Sequence, residues 1–256
     1  MILMGVLDGR IAIVTGAAGG IGEAVSRRFA EEGAGLVLSD IRGDRVQEIA
    51  AEIVDAGGRA IAVGADLAVE SDISAVVDAA IATYGQVDIL ANIGQGGMDR
   101  HTFLEDTTVE NALFTFTTGP LQAMLFMQKC LPHMKAKHYG RIINVASHSA
   151  ILGLPGFAPY EIAKGGVQAL TRNASQEWGK YGIVTNLFLP GIKTPAFDLT
   201  EQGREQAVLL ATQIPVGRFG LPYEDCTPLV LFLASEGAGY VNGQSIGVDG
   251  GKTMIA

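Results

Sequence analysis

Short apolar runs rich in β-branched residues recur along this chain, separated by longer stretches whose apolar positions repeat at helical spacing. The runs Ile11–Thr15, Leu36–Ser39, Ala60–Ala65, Ile89–Ala91, Ile142–Val145, Thr185–Leu189 and Ser245–Val248 predict strands, and most of the intervals between them predict helices. Strand and helix in regular alternation predict an α/β fold: a parallel, doubly wound sheet with helices on both faces. No proline-rich or serine-rich linker interrupts the pattern, so residues 1–256 are expected to form one domain. In such a sheet a ligand sits beyond the carboxyl ends of the strands. A glycine turn after the first strand, Asp40, Asp66, Asn92, Ser147 and Pro190 all fall at those ends.

The first strand runs into Thr15-Gly16-Ala17-Ala18-Gly19-Gly20-Ile21-Gly22 and then into a helical pattern from Glu23 to Glu32. A glycine turn at this junction lets backbone amides approach a pyrophosphate at the positive end of the helix. Side chains at Gly16, Gly20 or Gly22 would be expected to block that approach. Asp40, eighteen residues beyond Gly22 at the end of the second strand, is placed to meet the adenosine ribose and to repel a phosphate there. That predicts NAD rather than NADP. Arg42 is the complication, since it could neutralise Asp40 or cover the adenine.

Further along, Ser147 precedes Tyr160 by thirteen residues, and Tyr160 stands four before Lys164, on one face of a helix. A free tyrosine titrates near ~10, and a fixed ammonium nearby is expected to lower it towards the range of acid/base work.

These motifs together resemble the short-chain dehydrogenase/reductase family over essentially the whole chain: the Thr-Gly-x-x-x-Gly-x-Gly turn, Asp66-Leu67, Pro190-Gly191, the serine with Tyr-x-x-x-Lys, and Val248-Asp249-Gly250-Gly251. The resemblance implies a Rossmann-type fold and hydride transfer between nicotinamide and a secondary alcohol or ketone. In that chemistry Tyr160 acts as general acid or base, Ser147 hydrogen-bonds the substrate oxygen, and Lys164 binds the ribose. It also implies that Gly16, Gly20, Ile21, Gly22, Asp40, Asp66, Leu67, Asn92, Tyr160, Lys164, Pro190, Gly191, Ile192 and Thr194 contact the cofactor. Asp66 could instead be a turn or cap residue.

Two departures stand out. Asn92-Ile93-Gly94-Gln95 replaces the family's Asn-Asn-Ala-Gly, which makes Ile93 and Gln95 candidates for shaping the pocket. Gly119 stands where the family carries an asparagine that helps hold a water linking the lysine to solvent. The expectation is that water, with Thr117 or Thr118, rebuilds that relay and that Gly119→Asn keeps its activity; if substrate or packed core fills the space instead, the larger side chain would clash. His148 could reach the substrate pocket or simply face solvent.

With 48% hydrophobic and 18% charged residues, a large core is available. A formal charge of −9 disfavours nucleic acid and anionic membrane surfaces as partners. No segment suits a membrane span or secretory signal, and Cys130 and Cys226 read as buried thiols, so a cytoplasmic protein is expected. His101, His133 and His138 lack metal-ligand spacing, and no metal is expected. Phe103, Leu152, Leu154, Phe157, Phe188, Phe197 and Leu199 are candidate pocket linings for an apolar cyclic or aryl substrate. The stretch Thr194–Pro215 reads either as a flap over the site or as a surface helix. A 3-oxoacyl thioester reductase and a non-catalytic NAD-binding sensor are the competing functions. Apolar faces on Leu121–Met134 and Tyr160–Trp178 would suit the family's homotetramer.

Overall fold

The computed structural model describes residues 5–193 and 201–254. Seven parallel strands form one sheet in the order β3-β2-β1-β4-β5-β6-β7. They are β1 (Ile11–Thr15), β2 (Gly35–Asp40), β3 (Arg59–Gly64), β4 (Ile89–Asn92), β5 (Gly140–Val145), β6 (Ile183–Pro190) and β7 (Ser245–Val248). Strands β2, β3, β5 and β6 start earlier than their apolar runs. Ladder pairs such as Gly35↔Arg59 and Gly140↔Ile183 carry the pairing beyond the predicted runs, with glycine or arginine in each pair.

Helices α1 (Gly20–Glu31), α2 (Gly43–Asp55), α3 (Glu70–Tyr84), α4 (Val109–Phe116), α5 (Gln122–Lys137), α6 (Ser149–Leu152), α7 (Ala158–Trp178), α8 (Glu201–Ala211) and α9 (Thr227–Ala234) connect them. Successive strand side chains point to opposite faces, so β1 feeds two cores. Ala12 and Val14 pack with Val25 and Phe29 of α1, Ile49 of α2 and Val230 of α9. Ile13 faces the other way, into Ile73 and Val76 of α3 and Phe126 and Met127 of α5. Helices on both faces explain why the inner strands are apolar runs rather than alternating ones.

Asp88, fully buried just before β4, fastens the amino-terminal rim. It accepts from the Ile11 N–H at 2.9 Å and from Gln86 Nε2 at 2.9 Å, and pairs with Lys137. The polar residues of the candidate site lie at the opposite rim. No helix among the described residues is long and apolar enough to cross a membrane.

Candidate active site

The glycine turn joins β1 to the amino terminus of α1. Gly16 and Gly20 have φ of 66° and 56°, in the left-handed region where a side chain is strained. The three glycines serve different purposes. A Cβ at Gly22 would lie 2.0 Å from the Gly16 carbonyl oxygen, and one at Gly16 would lie 2.7 Å from Gly94 Cα. Both are therefore needed for the turn to pack on α1 and on the segment after β4. Only Gly20 has open space beyond it, with no atom within 4 Å. The expectation that all three clear a path for the ligand is thus corrected: Gly20 borders the open side, while Gly16 and Gly22 hold the turn's own shape. The first turn of α1 carries no side-chain cap, which leaves its N–H groups for an anion. Ile21 packs against the first core. Thr15, which the sequence placed in the motif without a role, pins the turn to its neighbour by accepting from the Ile93 and Gly94 N–H groups at 3.0 and 3.1 Å.

Asp40 is buried at the end of β2. Its carboxylate accepts from the Ala18 N–H at 3.0 Å, which ties it to the glycine turn, and from the Arg42 N–H at 3.0 Å. The Arg42 guanidinium also pairs with it at 3.2 Å and lies 3.3 Å from a Cβ position on Gly19. Of the two roles weighed for Arg42, the pairing with Asp40 is present, and the guanidinium also lies over Gly19 of the turn.

Among the other expected cofactor residues, Asp66 closes a local turn by accepting from the Ala68 N–H at 2.8 Å, and Leu67 lies against Gly94. Asn92 is turned into the sheet, its Nδ2 donating to Asn144 Oδ1 at 2.9 Å while Asn144 in turn donates to Thr171. Gly191 packs on Asp249, where a Cβ would come within 2.6 Å, and Ile192 bridges to Gly220 just beyond Pro190. Thr194, Phe197 and Leu199 lie outside the described residues, and so does the start of the stretch read as a flap; its remainder contains α8.

Ser147 follows β5, and Tyr160 and Lys164 lie in the first two turns of α7. The three come together at the carboxyl rim. Lys164 is almost wholly buried and donates to the Val145 carbonyl at 2.7 Å, which aims its side chain back at the end of β5. Its Nζ lies 5.5 Å from the centre of the Tyr160 ring. Ser147 Oγ sits 2.8 Å from Ser149 Oγ and accepts from the Ser149 N–H, so the loop after β5 holds it in place. Burial dominates the titration of the pair. It pushes the Tyr160 phenol up to about 12, against a hydrogen bond with Ser147 that draws it down, and brings the Lys164 ammonium down to about 7. The expected lowering of the phenol by the ammonium is therefore outweighed by desolvation in the protein itself.

His148 is half buried rather than solvent-facing. Its titration is lowered first by burial and then by Lys252 of the carboxyl-terminal segment, so the neutral imidazole is favoured. Phe188 is a correction to the expected lining, being fully buried in the first core. Phe157 instead stacks edge-on against His101, with ring centres 4.4 Å apart. Leu152 and Leu154 are exposed on the loop carrying α6, and Phe103 is exposed near it. No cluster of metal-ligating groups occurs among the described residues. Cys130 and Cys226 are buried thiols pushed up to about 12.

Side chains stand close to Gly119 on the side its own side chain would take. Gly119 lies in a widened, π-helical turn, Thr117–Leu121, between α4 and α5. A Cβ there would stand 3.2 Å from Ala163 Cβ and 3.2 Å from the Gln95 carboxamide. The Gln95 carboxamide takes the place where a side chain at 119 would begin. Thr118 is committed to the Phe114 carbonyl at 2.9 Å, and Asn111 to Arg100 at 3.2 Å.

The arrangement fits a dinucleotide: an uncapped helix amino terminus beside an open glycine, a carboxylate at the second strand, and three proton-handling groups at the same rim. Residues 16–253 match a family described as enoyl-(acyl carrier protein) reductase. The (2S)-[(R)-hydroxy(phenyl)methyl]succinyl-CoA dehydrogenase subunit BbsD of Thauera aromatica is 35% identical, covering 98% of this chain and 99% of its own. A 3-oxoacyl-[acyl-carrier-protein] reductase of Thermotoga maritima is 34% identical over 97% of this chain and 99% of its own. In three dimensions the chain superposes with a TM-score of 0.88 on a 7α-hydroxysteroid dehydrogenase complexed with NADH and 7-oxo glycochenodeoxycholic acid. That protein is 31% identical, with 96% of this chain and 94% of that one covered. A glycine turn, a buried lysine behind a tyrosine and full-length similarity of this kind together place the chain in the short-chain dehydrogenase/reductase family, and it is an oxidoreductase.

Proposed function

We propose that this protein is an NAD(H)-dependent dehydrogenase that interconverts a secondary alcohol and its ketone on an apolar cyclic or aryl-bearing substrate. The observation that carries the reading is the convergence of Ser147, Tyr160 and Lys164 at the rim of the sheet where the glycine turn also lies. Nicotinamide, when bound, takes up or supplies the hydride. The protein's own residues handle the proton. In the reducing direction Tyr160 Oη gives its proton to the carbonyl oxygen, and Ser147 Oγ donates a hydrogen bond to that same oxygen. Lys164, held by the Val145 carbonyl, provides the positive charge that stabilises the phenolate left behind. Gly20 and the free N–H groups of α1 would hold the pyrophosphate, and Asp40 the ribose.

The preference for a cyclic or aryl substrate draws on relatives whose names carry such groups, including a 2,3-dihydroxy-2,3-dihydro-p-cumate dehydrogenase of Pseudomonas putida. The Thermotoga relative favours the 3-oxoacyl thioester alternative, which the net charge of −9 opposes because it repels acidic carrier proteins. Following the absorbance of reduced cofactor against a panel of cyclic alcohols, ketones and 3-oxoacyl thioesters separates the readings. Turnover of thioesters alone overturns the substrate assignment, and binding of NADH without turnover of anything would support a sensor. The reading includes a cytoplasmic protein that assembles as a homotetramer. Of the two expected faces, Tyr160–Trp178 exposes Ile162, while Leu121–Met134 has no large apolar side chain among the exposed ones; Val109, Leu113 and Phe116 of α4 are exposed as well. A monomeric mass by light scattering would remove that part.

Asp40→Ala is expected to lower the ratio of NAD to NADP efficiency by roughly 10-fold to 100-fold, the worth of charge-assisted hydrogen bonds. Arg42, released from its partner, should then favour a phosphate. Parallel steady-state assays with the two cofactors check this. A wild-type protein that already prefers NADP would mean that Arg42 governs the corner.

A further inference from the structure

Gln95 extends from the segment after β4 into the groove between Gly119 and Ala163. Its carboxamide carbon and oxygen each lie 3.2 Å from where a Gly119 side chain would begin. Both polar atoms of that carboxamide are buried, and neither has a hydrogen-bond partner in the protein. An unpartnered buried amide costs roughly 1–3 kcal/mol, so its retention needs a compensating use. Its surroundings supply one. Ala163 immediately precedes Lys164, whose ammonium carries three donors and is given one partner, the Val145 carbonyl. On the other side, Pro120 lacks an N–H to donate within the widened turn Thr117–Leu121, where the helical ladder is out of step. One helical turn on, Gln122 Nε2 donates to the Gly94 carbonyl at 3.2 Å, fastening the same helix to the segment that carries Gln95.

We propose that Gln95 is a positioning residue of this active site: its carboxamide, lodged in the notch left by Gly119, is the buried amide that links the widened turn to Lys164 through bridging water. The inference rests on the proposed roles of Tyr160 and Lys164. It also accounts for the small residue at 119, because a side chain there would crowd the Gln95 amide and Ala163.

The test uses four variants of the full chain, Gln95→Met, Gly119→Asn, Gln95→Ala and the last two combined. Gln95→Met keeps length and volume but removes the amide, and is expected to retain its Tm and its KM for substrate while kcat falls about 10-fold or more. Gly119→Asn alone pushes against Gln95 and Ala163 and should lower both Tm and activity. Gln95→Ala with Gly119→Asn places a new carboxamide where the old one stood, and should recover most of the kcat that Gln95→Ala loses. A Gln95→Met protein with kcat within twofold of the unaltered one would overturn the proposal. So would a double variant no more active than Gln95→Ala despite a normal Tm. Tyr160→Phe serves as control. If it is inactive while Gln95→Met is normal, only this inference fails; if it is active, the assignment of the catalytic groups fails first.

Discussion

Tyr160→Phe is expected to reduce turnover by roughly 10²-fold to 10⁴-fold while leaving NADH affinity nearly unchanged. The substitution removes one hydroxyl and keeps the ring, so its packing on the first turns of α7 survives. What disappears is the proton donor and its hydrogen bond with Ser147. Burial pushes the phenol up to about 12 and the ammonium down to about 7, which opposes the phenolate and ammonium that proton donation would leave side by side. Stopped-flow or steady-state rates with a productive ketone, alongside a fluorescence titration of NADH, provide the measurement. Turnover within twofold of wild type would show that another group moves the proton, and His148 would be the next residue to change.

Gly22→Ala should be the most damaging single methyl group in the cofactor region. Its Cβ would sit 2.0 Å from the Gly16 carbonyl oxygen and 2.6 Å from the carbonyl carbon, both backbone atoms that cannot swing aside. Either α1 withdraws from the turn or the turn reshapes. Overpacking of this sort costs about 1–3 kcal/mol, sometimes more, and in a chain of this size about 2–4 °C of Tm accompanies each kcal/mol. NADH affinity is expected to fall together with Tm, because the amides that would face the pyrophosphate belong to the displaced turn. Gly20→Ala is the informative comparison. No atom lies near its Cβ, so its cost is restricted to a φ of 56° and to whatever ligand occupies the open side. Equal thermal losses in the two variants would contradict the division of labour between these glycines.

Much of this protein is determined locally, and that part was legible in the sequence. Periodic apolar runs separated by helical patterns leave a doubly wound parallel sheet as the arrangement that buries strands on both faces, and strands β1 and β7 keep the predicted bounds. The order Ser147, Tyr160, Lys164 after a glycine turn was readable because the chemistry depends on residue types at short, regular spacings. Contacts between distant segments were not readable. Thr15 gripping the segment after β4, Asn92 turned towards Asn144 and Phe188 sunk in the core all follow from which strands become neighbours, and single strands carry no mark of that. The same limit applies at Gly119. From sequence it is a missing side chain with water, substrate or core as possible replacements; only the packing of the turn Thr117–Leu121 against α7, beside the segment after β4, places Gln95 in its space. Titration behaviour belongs to the tertiary structure as well, since the Tyr-x-x-x-Lys spacing brings a cation near the phenol, but the depth of burial decides whether charge or desolvation prevails.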